Sequence, residues 1–337
     1  MDSVQQVNYD FKDRSFLPII KKDAQRMGTA AGLPAKRLAE MEIVLSEIAT
    51  NLLKHAGSGE IIVRVYNDSV VSGIEIMGID NGPGIADPGK MMEDGMSTTG
   101  TLGHGLGAIR RLSDQFQLYT LPGWGTVLLA RIFQSPPVAG TRPPRWGIYP
   151  IVVPKPGETY CGDMCVWKSN PYFIKVLMAD GLGHGILAQQ ASEKAAEAFQ
   201  KSTFNTPHQI LMEIHQHVKN TRGLVATIAV YDLTNKVWLF CGVGNISTRL
   251  HDAISSKTYL PYNGIVGVNI PRVLESQTVP AEPGRHLIMC SDGISSRWDA
   301  SKHIGAFRCD PSVLAAAIYK DFARHSDDTS VTVVKVS

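Results

Sequence analysis

No apolar run in the 337 residues approaches the ~20 needed to cross a bilayer. The opening MDSVQQVNYDFKD places acidic residues where a secretion signal needs an apolar core. A cytoplasmic protein without a membrane anchor is expected. An excess of either charge is lacking too: 33 Lys and Arg stand against 31 Asp and Glu, for a formal charge of +2. Such a balance provides no basic field for nucleic acid or anionic lipid, so neither is expected as a partner. The five cysteines (Cys161, Cys165, Cys241, Cys290, Cys309) are odd in number and lack CxxC spacing. Three of them lie in or beside apolar runs. Reduced core thiols are expected, rather than a disulfide framework or a zinc site.

What is present describes a globular chain, with 44% hydrophobic and 19% charged residues. Its length suits two domains of ordinary size. The clearest break is QSPPVAGTRPPRWG at 134–147, where four prolines remove donors and fix φ. A linker is expected there, between domains at 1–133 and 148–337.

In the first part, apolar positions Leu38, Met41, Val44, Leu45, Ile48, Leu52 and Leu53 form a helical stripe over Pro34–His55. Paired strands are expected at Ile61–Tyr66 and Gly73–Ile79, a short helix at Gly107–Ser113, and a hairpin of Phe116–Thr120 with Thr126–Ile132. The second part reads as strands at Ile148–Val153, Phe173–Met178, Ala226–Tyr231, Val237–Cys241, His286–Cys290 and Ser330–Val336. Helices are expected at Ile186–Lys201, Pro207–Thr221 and Pro311–His325. These elements do not alternate regularly, which favours an α+β architecture over a parallel sheet.

Glu47 and Asn51 lie four apart on the first helix and share one face, with His55 a turn further on. A carboxylate and a carboxamide stacked this way suit a general base and a magnesium ligand; alone, they also describe a solvated face. Asp80-Asn81-Gly82-Pro83-Gly84 follows a strand and suits either an amine-reading aspartate or a surface turn. Gly100, Gly103, Gly105 and Gly107 then lead into a helix, where backbone N–H groups can approach phosphates.

SEIATNLLKHA, IDNGPGI and STTGTLGHGLGAIRRL, in this order, resemble the N box and two glycine boxes of the GHKL ATPases, and more closely the RsbT-like switch kinases. The resemblance covers residues 1–133. It implies an α/β sandwich of the Bergerat type, with Glu47 as catalytic base, Asn51 as Mg²⁺ ligand and Asp80 as adenine reader. Gly82, Gly84, Gly103, Gly105 and Gly107 become hinge and phosphate-loop positions. His104 departs from the apolar residue expected there.

The second part sets aspartates beside apolar strands in Cys161-Gly162-Asp163, Ala179-Asp180-Gly181, Ser291-Asp292-Gly293 and Asp327-Asp328-Thr329. Each alone is an ordinary turn; four together suggest carboxylates converging at strand ends. Oxygen donors suit Mg²⁺ or Mn²⁺, and two such ions can activate water for displacement at phosphorus. Taken in order, the motifs resemble type 2C metal-dependent serine/threonine phosphatases of the SpoIIE/RsbX branch, over 148–337. TRGLVAT at 221–227 adds to the likeness. It implies a β-sandwich flanked by helices, with two Mn²⁺ or Mg²⁺ held by Asp163, Asp180, Asp292, Asp327 and the Gly181 carbonyl. Asp328 differs from Asp327 only by register, and Cys161 replaces an expected small residue.

LGHG occurs twice, at 102–105 and 182–185, but its flanks differ, so the two copies serve different chemistry. Together the resemblances imply a kinase fused to a phosphatase, with ATP and Mg²⁺ at the first site. The expected substrate is a serine or threonine of a STAS-domain antagonist or scaffold, with a sigma factor or downstream switch protein as a further partner. In the alternative, the first domain binds ATP and a partner and gates the phosphatase without transferring phosphate.

Overall fold

The computed structural model describes residues 2–3, 5–87, 104–138, 140 and 144–336. The chain forms two compact units: one of residues 5–145 with 308–316, the other of residues 1–4, 146–307 and 317–337. A two-residue strand β1 (Asp2–Ser3) belongs to the latter.

The unit of residues 5–145 is built on five antiparallel strands: β2 (Gln6–Phe11), β3 (Gly59–Asn67), β4 (Ser72–Asp80), β5 (Gln115–Leu121) and β6 (Gly125–Phe133). Their order is β2-β3-β4-β6-β5. Helices α1 (Leu17–Ala30) and α2 (Ala35–Asn51) bury Ile20, Met41, Val44, Leu45 and Ile48 against Ile61, Val63, Ile74, Ile76, Leu128 and Ile132 of the sheet. Alternation along the strands sends the intervening residues to the other face. There Arg64, Glu75 and Arg131 form a buried row across β3, β4 and β6. Arg64 Nε lies 2.5 Å from Glu75 Oε1, and Arg131 donates to Glu75 Oε2 at 2.7 Å. Asp310, in the same unit, receives a fork of two 2.7 Å bonds from Arg131.

The expected Pro34–His55 helix changes character near its end. After Asn51 the backbone widens into a π-turn at Leu52–Ala56, closed by Gly57 at φ 78°. Such turns re-aim side chains, and this one follows the two candidate polar residues directly. A further helix, α3 (His104–Leu112), begins earlier than the expected Gly107. Strand β2 and helix α1 were not expected from the sequence at all.

The other unit packs two antiparallel sheets face to face. The six-stranded sheet has β1, β8 (Asp163–Ser169), β9 (Phe173–Gly181), β10 (Leu224–Asp232), β11 (Val237–Val243) and β14 (Gln277–Pro280), in the order β1-β8-β9-β10-β11-β14. The five-stranded sheet has β7 (Trp146–Val153), β12 (Ser247–His251), β13 (Ser256–Tyr259), β15 (His286–Cys290) and β16 (Thr329–Val336), in the order β13-β12-β15-β16-β7.

Val176 and Met178 point between the sheets with Trp238, Phe240, Leu287 and Met289. Leu177 and Ala179, one residue out of phase, meet the helices α4 (Ile186–Lys201) and α5 (Pro207–His217) instead. Because β9 is covered on both faces, its middle, Val176–Ala179, reads as a continuous apolar run. Ala188, Ala191, Ala195 and Ala198 give α4 a small-residue face that lies close on the sheet. A final helix, α6 (Pro311–Phe322), precedes β16. Cys165, Cys241 and Cys290 are buried thiols, as the apolar runs around them imply. No helix among the described residues is long and apolar enough to cross a membrane.

Candidate functional site

In the unit of residues 5–145, α2 presents Glu47 and Asn51 to the start of α3. A Cβ placed on Gly105 would lie 3.0 Å from Glu47 Oε2 and 3.3 Å from Asn51 Oδ1. The expected acid, amide and glycine therefore meet at one point. Gly105 and Gly107 lie inside the first turns of α3 rather than in a loop before it. Their glycine requirement is one of space for Gly105, since neither has positive φ. Asn51 Nδ2 is buried without a partner among the described residues. A buried amide nitrogen left this way costs free energy, which fits a site completed by a ligand.

Asp80 ends β4, and its Oδ1 accepts the Gly82 N–H at 2.8 Å, so one carboxylate oxygen already holds the turn. Gly84 at φ 74° lets the turn pass close to the Leu121 carbonyl. Gly123 N–H then donates to the Pro83 carbonyl at 2.8 Å and fixes the turn on the β5–β6 hairpin. Burial lowers the His55 pKa, assisted by Lys54 and opposed by Asp80. Gly103 lies outside the described residues.

In the other unit, Asp163 opens β8 and Asp180 lies near the end of β9 as its direct cross-strand partner. Residues opposite one another on antiparallel strands share a face. Burial raises the Asp180 pKa, and the negative charges of Asp163, Asp292, Asp327 and Asp328 raise it further. Asp163 is raised by burial too, partly offset by the hydrogen bond from Ser291. The expected aspartates thus feel one another, although no three acids among the described residues close into a ready-made coordination shell. Asp163 Oδ2 accepts from Ser291 Oγ at 2.6 Å, while its buried Oδ1 has no partner among the described residues. An orphaned carboxylate oxygen beside like charges, in an all-oxygen donor set, fits a hard divalent cation.

The register ambiguity at 327–328 resolves into two different settings. Asp328 Oδ1 accepts the Lys155 N–H at 2.7 Å and its Oδ2 accepts the Gly162 N–H at 2.8 Å. Its carboxylate is spent on the backbone. Asp327 is half-buried, and its Oδ1 accepts the Asp328 N–H at 3.0 Å. Gly181 is fixed by crowding, since a Cβ there would lie 2.2 Å from the Ala188 carbonyl. The Cys161 thiol is pushed up by burial and by Asp163 and Asp328, so it stays protonated and packs.

Two supporting residues were not expected. Ser291 bridges Asp163 and the Ser330 amide, and Asn245 donates to Asp292 Oδ2 at 2.9 Å. Ser291 was readable from its place before Asp292. Asn245 stands in the turn between β11 and β12, without any motif to mark it.

Comparison with known proteins adds two family matches. The histidine kinase-like ATPase domain model matches residues 17–132, and the stage II sporulation protein E (SpoIIE) model matches 173–337. Serine/threonine-protein kinase RsbT of Bacillus subtilis (strain 168) is 42% identical over 92 residues, covering 27% of this chain and 69% of RsbT. The chain belongs to the RsbT family. Its second half carries a SpoIIE domain. Phosphoserine phosphatase RsbX of the same organism is 28% identical over 142 residues, 42% of this chain and 71% of RsbX.

Among solved structures, one described as "The bacterial stressosome: a modular system that has been adapted to control secondary messenger signaling" aligns with a TM-score of 0.53 at 28% identity. It covers 56% of this chain and 99% of its own. A crystal structure of RsbX in complex with magnesium aligns with a TM-score of 0.50 at 23% identity, over 57% and 96%; that likeness is one of fold. Glu47, Asn51, Asp80 and Gly105 all fall within the span matched by the histidine kinase-like ATPase model. Asp180, Asp292 and Asp327 fall within the SpoIIE span, whereas Asp163 precedes it and joins through the β8–β9 ladder.

Proposed function

We propose that this chain both phosphorylates and dephosphorylates a serine or threonine of a STAS-domain antagonist or scaffold, and so sets the state of a partner-switching module. The kinase half rests on one observation, the meeting of Glu47 Oε2 and the Asn51 amide at Gly105. In this reading Asn51 holds Mg²⁺ on the triphosphate, Asp80 reads the adenine amine, and Glu47 accepts the substrate hydroxyl proton. Gly82, Gly84, Gly103, Gly105 and Gly107 shape the nucleotide's surroundings.

In the phosphatase half, Asp163, Asp180, Asp292, Asp327 and the Gly181 carbonyl hold two Mg²⁺ or Mn²⁺; the RsbX relative has been crystallised with magnesium. When bound, such ions supply charge neutralisation and water activation at phosphorus. Ser291 and Asn245 orient Asp163 and Asp292. We take the functional domains as residues 1–133 and 148–337, joined by the proline-rich 134–147.

Labelled ATP, the full chain and a STAS-domain protein test this reading. Label should appear on the STAS protein with Mg²⁺ and leave it as inorganic phosphate. Bound ATP with no label on any protein would favour the alternative, in which the first domain binds ATP and a sigma factor or switch protein and only gates the phosphatase.

A further inference from the structure

Arg222 lies in the turn between α5 and β10. The β9–β10 register sets Val225 opposite Asp180 and Leu224 opposite Gly181. Leu182 N–H donates to the Gly223 carbonyl at 3.1 Å, which carries the pairing one residue beyond the ladder. Arg222 therefore lies against Gly183, three residues after Asp180. A Cβ on Gly183 would lie 3.1 Å from Arg222 Nη1, and Gly183 adopts φ 82°. Bare backbone here leaves room for the guanidinium over the turn that follows the metal-ligand candidate.

The side chain is exposed, and no carboxylate among the described residues pairs with it. Glu158, across the turn, is taken by His184 Nδ1 at 2.8 Å. An exposed arginine held against the turn that follows Asp180 offers its planar fork of donors outward. Such a fork matches two oxygens of a tetrahedral dianion, a fit that an ammonium does not reproduce.

We propose that Arg222 binds the phosphoryl group of the phosphoserine or phosphothreonine substrate at the mouth of the carboxylate centre. The proposal rests on the phosphatase reading given above. Arg222 fixes two non-bridging oxygens, and its charge offsets the repulsion that the surrounding aspartates exert on an incoming phosphate. It sets substrate affinity rather than metal affinity.

The test uses the full chain with Mn²⁺, p-nitrophenyl phosphate and a phosphoseryl peptide as substrates, and inorganic phosphate as competing product. Arg222→Ala should raise KM and the phosphate inhibition constant together, by roughly ten- to hundredfold, as expected for loss of a charge-assisted pair. kcat, Mn²⁺ affinity by calorimetry and melting temperature should stay near wild type. Arg222→Lys should recover part of the loss by restoring charge without the fork.

An unchanged phosphate inhibition constant in Arg222→Ala, with an active wild type, overturns the assignment and leaves the phosphatase reading standing. A fall in Mn²⁺ affinity or melting temperature of similar size would also overturn it, as a structural role. A wild type inert with both Mn²⁺ and Mg²⁺ removes the phosphatase reading and this proposal with it.

Discussion

Asp163 and Asp180 are direct partners across the β8–β9 ladder, two carboxyl groups on one face of a buried sheet end. Burying carboxyl groups, and setting like charges together, opposes folding, and the raised pKa of both groups expresses that cost. A raised carboxyl pKa means that the folded state binds more protons than the unfolded state above about pH 4. Stability of the metal-free protein should therefore fall as pH rises from that range toward neutrality. Thermal melts in chelator should show the decline, and Asp180→Asn should flatten it and raise the neutral-pH midpoint by about 2–5 °C. Added Mn²⁺ should stabilise the wild type more at pH 8 than at pH 5. A flat profile without metal would contradict this electrostatic account.

Adjacent aspartates should fail in different ways. Asp328→Ala removes the acceptor of two backbone amides and should destabilise its unit by roughly 2–4 kcal/mol. Asp327→Asn should leave the melting temperature nearly intact while hydrolysis of p-nitrophenyl phosphate is lost. The same melting and activity assays on both variants decide the matter, and a reversed pattern would exchange the two roles.

Gly105→Ala would bring a methyl group within 3.0 Å of Glu47 Oε2. Affinity for a fluorescent ATP analogue with Mg²⁺ should drop at least about tenfold through the displaced acid and amide. Asn51→Ala should give a similar loss and abolish the Mg²⁺ dependence. Unchanged binding in both variants would place the nucleotide elsewhere.

The buried row of Arg64, Glu75 and Arg131 predicts a stability defect with no direct chemical role. Arg131→Met leaves Glu75 and Asp310 without their shared cation and should cost about 3–5 kcal/mol. Denaturant unfolding monitored within this unit would show it. A neutral outcome would mean that packing, not pairing, holds that face.

Much of this was legible in the sequence because it follows from local pattern. The stripe from Leu38 to Leu53 fixed which face of α2 is buried, and hence that Glu47 and Asn51 share the other. Apolar strands ending in aspartate marked Asp180 and Asp292. What remained hidden depends on partners far apart in the chain. Strand β2 is short and half-buried, and only pairing with β3 makes it a strand. The π-turn after Asn51 has no sequence period of its own. Asp327 and Asp328 differ only in which backbone amides reach them, from Lys155 and Gly162 more than 160 residues away. Arg222 lies in the TRGLVAT stretch, but its place over Gly183 emerges only from the β9–β10 register.

The central claim is that two opposing chemistries reside on one chain, and a single time course tests it most directly. A STAS-domain protein is incubated with MgATP, Mn²⁺ and either wild type, Asp180→Asn or Glu47→Gln, and its phosphorylation is followed by mass. The wild type should settle at an intermediate level while consuming ATP continuously. Asp180→Asn should drive the substrate to full phosphorylation, and Glu47→Gln should leave it dephosphorylated. A substrate that stays unmodified with Asp180→Asn, despite bound ATP, would contradict the account and leave the first domain as a binding or gating module.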